Sequence, residues 1–427
     1  MNNGSVGMEL SPRFRMPGVV YPPAQDQQRY VDAGLLGRET LIEAYMATHA
    51  RWRDRPALVG PEGDFTHGQL DEITDRVASA FLDLGLKPLD RVVFQVPNCN
   101  ELIFAWLGCM KAGLIPVCTL VSHREREIGF LARHSAARLH FVQGDDPKYD
   151  HVELARRMQA EATTLEHIVV ARGPARDGAL SLKALWQAQD PVRARKRVLS
   201  IERDPFQVVL FHLSGGTTGV PKIITRFQAE YLYNMRAVAQ WNGYTEEDVF
   251  SCPMPFMHNA NMVAFQGPTL LVGGAIALSP SPDPDAVRQL LQRYRPTRMI
   301  MGGPAFVKMA PLLEKNRDAS KAFFAQPLAA QQASPMAGKL IDFSRARAVY
   351  STNGAKAIEA AMGIPTFHLF GMTEGVISFT RPEDPLEARE RSVGRPVSPL
   401  TSDEQATLLD RFWAASERLA ARDGLTI

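Results

Sequence analysis

Residues 213–222 read Leu-Ser-Gly-Gly-Thr-Thr-Gly-Val-Pro-Lys, which gathers three glycines, three hydroxyl side chains and a lysine into ten positions. Gly215, Gly216 and Gly219 let the backbone turn and approach a ligand closely. Ser214, Thr217 and Thr218 offer hydroxyls, and Lys222 adds a cation, so the run suits the oxygens of a phosphate. It is not a Walker loop, which needs Gly-Lys-Ser/Thr entering a helix, because Pro221 disfavours helical geometry at Val220. Apolar flanks, Val208 to Phe211 before it and Ile223-Ile224 after it, predict a turn between two buried strands. A surface hairpin would use Gly-Gly too, but it has no need of Ser, two Thr, Pro and Lys in this order.

Three further stretches could supply chemistry. In Pro255-Phe256-Met257-His258-Asn259 a polar pair interrupts an apolar, Pro-rich run and needs partners if buried; a hydrogen-bonded core histidine beside a turn asparagine is the alternative reading. In His368-Leu-Phe370-Gly371-Met372-Thr373-Glu374-Gly375 a hydroxyl and a carboxylate adjoin, and a carboxylate is what a hard cation bridging phosphate oxygens requires. Gly302-Gly303-Pro304 and Ser351-Thr352-Asn353-Gly354-Ala355-Lys356 each end a strand and open a helix, where open α/β sheets bind ligands. Lys356 also reads as a solvated lysine at a helix start.

The elements that must carry these residues alternate. Thr40 opens a helix over residues 41–49, residues 55–59 form a strand, and a hairpin follows through Pro61-Glu62-Gly63-Asp64. A helix over 70–84 stops at Gly85, a strand spans 92–96, and a helix over 101–112 runs into a buried strand at 114–120. Ser122 reads as the cap of the next helix. Strands at 138–142 and 167–171 precede a polar connection whose Arg193, Arg195, Lys196 and Arg197 read as a solvated linker. Such alternation predicts largely parallel sheets covered on both faces.

Bulk properties bound the function. A chain of 427 residues with 45% hydrophobic content can bury substantial cores. Forty-eight basic against 46 acidic residues leave +2, which gives no electrostatic case for nucleic acid or an anionic membrane as partner. Cys99, Cys109, Cys118 and Cys252 show neither metal-ligand spacing nor a disulfide framework, which fits a reducing cytoplasm. The polar, Pro-rich first thirty residues lack the apolar region of a secretory signal, and Lys111, Gly113 and Pro116 break the most membrane-like stretch, 102–120.

Residues 213–222 together with 368–375 resemble the two signature segments of the adenylate-forming enzymes: acyl-CoA synthetases, peptide-synthetase adenylation domains and luciferases. Arg226-x4-Tyr231-x-Tyr233-Asn234 and His258-Asn259 resemble the aryl-acid AMP ligases that activate dihydroxybenzoate or salicylate for siderophores; without the resemblance, the tyrosine pair is ordinary helix packing. The resemblance implies an α/β N-terminal core with two sheet subdomains and an incomplete β-barrel. It divides the chain into an arm (1–39), a first subdomain (40–205), a second carrying the site (206–398) and a helical tail (399–427). It implies ATP and Mg²⁺, with Ser214, Gly215, Gly216, Thr217, Thr218, Gly219 and Lys222 on the phosphates. Gly354, Ala355, Phe370, Gly371, Met372 and Thr373 would complete the nucleotide site, and Glu374 with Thr218 would hold the metal. Lys222, Thr373, Glu374 and His258 would act in catalysis, while His258, Asn259, Ala260, Gly303, Gly354 and Gly371 would surround the acid. Ala260 stands where these ligases carry an aromatic residue, so the resemblance implies a roomier or differently polar pocket.

The resemblance reaches Ser392-Val-Gly394-Arg-Pro396, the turn into the third subdomain, and the family's later segments, including a C-terminal domain with its lysine, are not found in the sequence. Ser402-Asp-Glu-Gln405 instead caps one amphipathic helix, which would cover an exposed edge or pair with a second copy of the chain. The expected activity is formation of an aryl-adenylate with release of pyrophosphate, and transfer to a carrier protein or coenzyme A is expected to suffer more than adenylation. A binding protein derived from such a ligase, or a shortened aryl-CoA ligase, is the alternative.

Overall fold

The computed structural model describes residues 11–214, 222–279, 283–336, 340–381 and 383–397. In chain order its strands are β1 (Pro56–Val59), β2 (Phe65–Thr66), β3 (Arg91–Gln95), β4 (Ile115–Cys118), β5 (Leu139–Val142), β6 (His167–Val170), β7 (Leu180–Ser181) and β8 (Val208–Leu213). They continue as β9 (Ile223–Phe227), β10 (Val249–Cys252), β11 (Ala275–Leu278), β12 (Arg298–Ile300), β13 (Ala348–Ser351), β14 (Thr366–Gly371), β15 (Ile377–Phe379) and β16 (Arg395–Pro396).

Two sheets form. One has seven strands in the order β7-β6-β5-β3-β4-β8-β9, the other nine in the order β16-β15-β14-β13-β12-β10-β11-β1-β2. All neighbours in the first are parallel except the hairpin β8–β9, and in the second β1 through β14 are parallel with antiparallel strands added at both edges. Sheet membership crosses the division expected at residue 205: β8 and β9 complete the first sheet, and β1 and β2 lie in the second. Strand alternation cannot reveal such an exchange, because it records which elements exist and not which edge each joins. Among the described residues there is no closed barrel; β14, β15 and β16 extend the second sheet instead. Gly394 makes β16 possible, since its backbone has φ +78° and a Cβ there would lie 1.9 Å from the Phe379 carbonyl carbon.

Helices cover both sheets. Thr40 starts Leu41–Arg51 with a capping box: its Oγ1 accepts from the Glu43 amide at 3.3 Å while the Glu43 carboxylate accepts from the Thr40 amide at 2.9 Å. Asn100–Lys111 is buried on every side, and no described helix is long and apolar enough to cross a membrane. Ser122 is not a cap, since the following helix is Glu125–His134 with Arg124 before it. The N-terminal arm packs down: Met16 and Tyr21 are buried, and the Tyr21 hydroxyl donates to Gln207 Oε1 at 2.7 Å. The cysteines are all buried free thiols.

The basic run is not a linker, and while Arg193 and Lys196 are exposed, Arg195 and Arg197 are partly buried in ion pairs. It lies on the helix Pro191–Leu199, where Arg195 Nη1 stands 3.2 Å from Asp71 and 3.1 Å from Asp75, and Arg197 pairs with Asp83. Both aspartates also hold Lys111, fully buried, at 2.6 Å each. Pattern reading missed this because it took each charge singly, whereas burial makes the carboxylates and cations mutually necessary.

A second buried polar pair sits between helices Leu41–Arg51 and His67–Asp83, where His49 Nδ1 and His67 Nδ1 lie 2.8 Å apart. Burial holds both imidazoles below their usual range, His67 at about 4. A histidine that prefers to be neutral when folded contributes stability above its unfolded pKa and loses it as pH falls toward its folded value. The urea midpoint is therefore expected to fall between about pH 6.5 and pH 4. A flat midpoint over that window would show that the pair is not held neutral.

Candidate active site

Strands β3 and β4 of the first sheet and β10, β11, β12 and β13 of the second point their C-terminal ends at one cavity of about 750 Å³. Its lining comes from Pro97, Asn98 and residues 120–122, after β3 and β4, from Ile300 at the end of β12, and from Met254, His258, Gly302 and Thr352, after β10, β12 and β13. Asn98 ties the two walls together: its Nδ2 donates to Met254 O at 2.8 Å and its Oδ1 accepts from the Phe256 amide at 2.7 Å. The strand expected over 92–96 stops just before Asn98, and nothing local marks its amide as a tether.

The phosphate-type loop is the connection of the β8–β9 hairpin. The Ser214 amide donates to Lys222 O at 3.0 Å and the Lys222 amide to Ser214 Oγ at 3.3 Å, so the loop is pinched at its base. Gly215, Gly216, Thr217, Thr218 and Gly219 lie outside the described residues. β8 is buried as expected, but β9 is a half-buried edge strand, because no described strand pairs beyond it.

The second signature segment arrives from the other sheet. β14 ends at Gly371, and a tight turn follows in which the Met372 amide donates to Val376 O at 2.8 Å and the Gly375 amide to Met372 O at 3.1 Å. Thr373 Oγ1 donates to Leu213 O at 3.3 Å, directly before Ser214, which brings the two segments together. Phe370, Gly371, Glu374 and Lys222 are exposed around this junction. Gly354, with φ +68° and open space above it, precedes the helix Ala355–Met362, and the Ala355 amide donates to His368 Nε2 at 3.1 Å, which fixes that helix start to β14.

On the acid side the expected residues separate. His258 lines the cavity and caps the helix Asn259–Ala264, its Nδ1 accepting from the Ala260 amide at 3.2 Å. Gly303 opens the helix Gly303–Phe324 immediately after lining Gly302. Asn259 is buried, its Oδ1 accepting from the Tyr231 hydroxyl at 3.0 Å, and Ala260 packs half-buried against the main core. His212 Nε2 lies 2.9 Å from the same hydroxyl. Burial, reinforced by the charge of Arg226, keeps this imidazole well below its usual pKa and therefore neutral. Tyr231 has one hydrogen to give, so with Asn259 receiving it the His212 ring donates from Nε2. Tyr231 is thus more than helix packing: it turns the Asn259 oxygen inward and leaves Nδ2 as that amide's other hydrogen-bonding group.

Among the described residues no three His, Cys, Asp or Glu side chains gather to hold a metal. Glu374 offers an exposed carboxylate, and Mg²⁺ is commonly held by one or two carboxylates together with phosphate oxygens and water.

Residues 46–410 match the family model described as AMP-binding enzyme. The chain belongs to this family of adenylate-forming enzymes. It is 31% identical over 397 residues to a salicylyl-CoA synthase / salicylate adenylyltransferase of Streptomyces, covering 92% of this chain and 68% of that protein. A salicyl-AMP ligase / salicyl-S-ArCP synthetase of Mycobacterium tuberculosis is 30% identical, with 92% and 66% covered. The apo structure of Mycobacterium smegmatis MbtA superposes with a TM-score of 0.74 at 28% identity, covering 90% of this chain and 66% of that one. The anthranilate CoA ligase AuaEII shares the fold, with a TM-score of 0.68 at 19% identity over 84% of this chain and 64% of that one. The chain spans about two thirds of the length of the curated relatives it matches.

Proposed function

We propose that this chain takes part in the ATP-dependent activation of an aryl carboxylic acid, of the salicylate, dihydroxybenzoate or amino- and hydroxybenzoate type, to an acyl-adenylate. The observation that carries the reading is the contact between Thr373 Oγ1 and Leu213 O, which joins the two signature segments beside a cavity lined by His258. A carboxylate oxygen of the acid attacks the α-phosphorus, the bond to the β-phosphate bridging oxygen breaks, and pyrophosphate leaves with its electron pair. The protein's part is positioning and charge compensation: Lys222 for the β- and γ-phosphates, Thr373 for the α-phosphate, and no side-chain nucleophile. To reach that phosphate, Thr373 would redirect its hydroxyl hydrogen from Leu213 O. Mg²⁺ bound at Glu374, with Thr218 as second ligand, would neutralise charge on the transferring phosphate.

The acid would lie in the cavity between Asn98, His258 and Gly302, with Asn259 meeting an ortho substituent and Ala260 leaving room that an aromatic side chain would fill. Relatives named for salicylate support the substrate class. The activated acyl group would pass to a carrier protein or coenzyme A, as the name of the salicyl-S-ArCP synthetase indicates for that relative. In a thermal-shift panel with ATP and Mg²⁺, ortho-hydroxy or ortho-amino benzoates are expected to stabilise the protein above ATP alone. Stabilisation by straight-chain fatty acids, with none by benzoates, would overturn the aryl assignment.

A further inference from the structure

We propose that Arg226 is a positioning residue that orients the Thr373–Glu374 peptide, so that the Glu374 N–H and carboxylate face the nucleotide; this rests on the proposed ATP site. Arg226 lies on β9, four residues after Lys222, yet only 1% of it is exposed. A buried guanidinium requires partners on each side. Nη1 donates to Thr373 O at 2.6 Å, Nε donates to Glu230 Oε2 at 3.1 Å, Nη2 pairs with the other Glu230 oxygen, and the cation lies 4.8 Å from the Tyr231 ring centre. Glu230 is itself held by Asn234 Nδ2 at 3.0 Å, so the fork cannot swing.

The consequence lies across the peptide bond. In a trans peptide the carbonyl of one residue and the N–H of the next point in opposite directions. With the Thr373 carbonyl locked onto Arg226, the Glu374 N–H is turned away from it, toward the exposed side where Glu374 stands, and no hydrogen bond from this amide forms among the described residues. Gly375 closes over the fork: a Cβ there would lie 3.7 Å from Nη2 and 3.9 Å from Glu230 Oε1. An arginine that only filled space would not need a backbone carbonyl from the other sheet. This one couples the strand leaving the phosphate-type loop to the turn carrying the acidic residue.

The test uses the full chain with four substitutions: Arg226→Lys, Glu230→Gln, Arg226→Met, and the double Arg226→Met/Glu230→Gln, which removes the arginine without stranding a carboxylate. Affinity for a non-hydrolysable Mg-ATP analogue and for salicylate alone is measured by calorimetry, and amide exchange is followed at Met372 and Gly375. The double variant is expected to weaken nucleotide binding about tenfold to a hundredfold, the effect of losing a charge-assisted hydrogen bond that positions a ligand. Exchange at the two amides should accelerate, with salicylate affinity unchanged. Glu230→Gln keeps an oxygen acceptor for the fork but removes its counter-charge, so its loss of nucleotide affinity should be smaller than that of the double variant, and Arg226→Lys should recover part of the loss. Wild-type nucleotide affinity and exchange in the double variant, or equal losses for nucleotide and salicylate, would overturn the proposal. A wild-type chain that binds no nucleotide would sink the proposed function instead, and the exchange rates would still decide whether Arg226 holds the turn.

Discussion

Glu374→Gln is expected to lower aryl-adenylate formation about 10²–10³-fold, the scale of losing one charge-stabilising group at a transferring phosphate. The substitution keeps the side chain's shape and removes its charge. Glu374 is exposed on the turn after β14, and the turn's own hydrogen bonds are made by Met372, Gly375 and Val376, so the fold does not depend on the carboxylate. Thermal stability and affinity for the aryl acid alone should therefore stay at wild-type values. Raising the Mg²⁺ concentration should recover part of the rate, since a weaker oxygen ligand still remains. A loss below about threefold with unchanged Mg²⁺ dependence would remove Glu374 from the metal site, because a direct ligand carries several kcal/mol.

The largest effect on stability is expected at Lys111. Its ammonium is fully buried and holds Asp71 Oδ1 and Asp75 Oδ1 at 2.6 Å each, with a third bond to Asp71 O at 2.9 Å. Lys111→Met fills similar volume but leaves two buried carboxylates to Arg195, which reaches them only at 3.1–3.2 Å from the rim. Breaking a buried ionic cluster from one side costs about 3–5 kcal/mol, more than the cluster's own net contribution, because the remaining charge stays desolvated. Urea unfolding should show that loss, and Lys111→Met with Asp71→Asn and Asp75→Asn should recover much of it by removing the stranded charge. A loss under about 1 kcal/mol in the single variant would mean that Arg195 and water already satisfy the aspartates.

The sequence made the scaffold legible where a local rule decides. Thr40 marks a helix start, Gly85 marks a stop, and the runs at 92–96 and 138–142 are buried parallel strands because both faces are covered. It made the two signature segments legible through residue order, and the structure brings their described ends within one hydrogen bond. What it could not convey is pairing across long separations. Nothing near residue 205 announces that β8 joins a sheet begun at β3, since an edge is chosen by tertiary packing rather than by local pattern. Asn98 and His212 stayed hidden for a related reason, and the resemblance marked Arg226 and Tyr231 without showing what they hold. Each acts through a partner 19 to 158 residues away, and a lone Asn, His, Tyr or Arg in an apolar stretch has no local feature that separates a tether from ordinary packing.

The measurement closest to the central claim is direct detection of an aryl-adenylate. The purified chain is incubated with ATP, Mg²⁺ and salicylate, and the products are resolved by mass spectrometry beside parallel reactions with benzoate, anthranilate and a long-chain fatty acid. An acyl-adenylate and stoichiometric pyrophosphate are expected from an ortho-substituted benzoate, formed about 10²–10³-fold more slowly by Glu374→Gln and absent with the fatty acid. Adenylate from the fatty acid and none from any benzoate, or nucleotide binding with no adenylate from any acid, would contradict the claim.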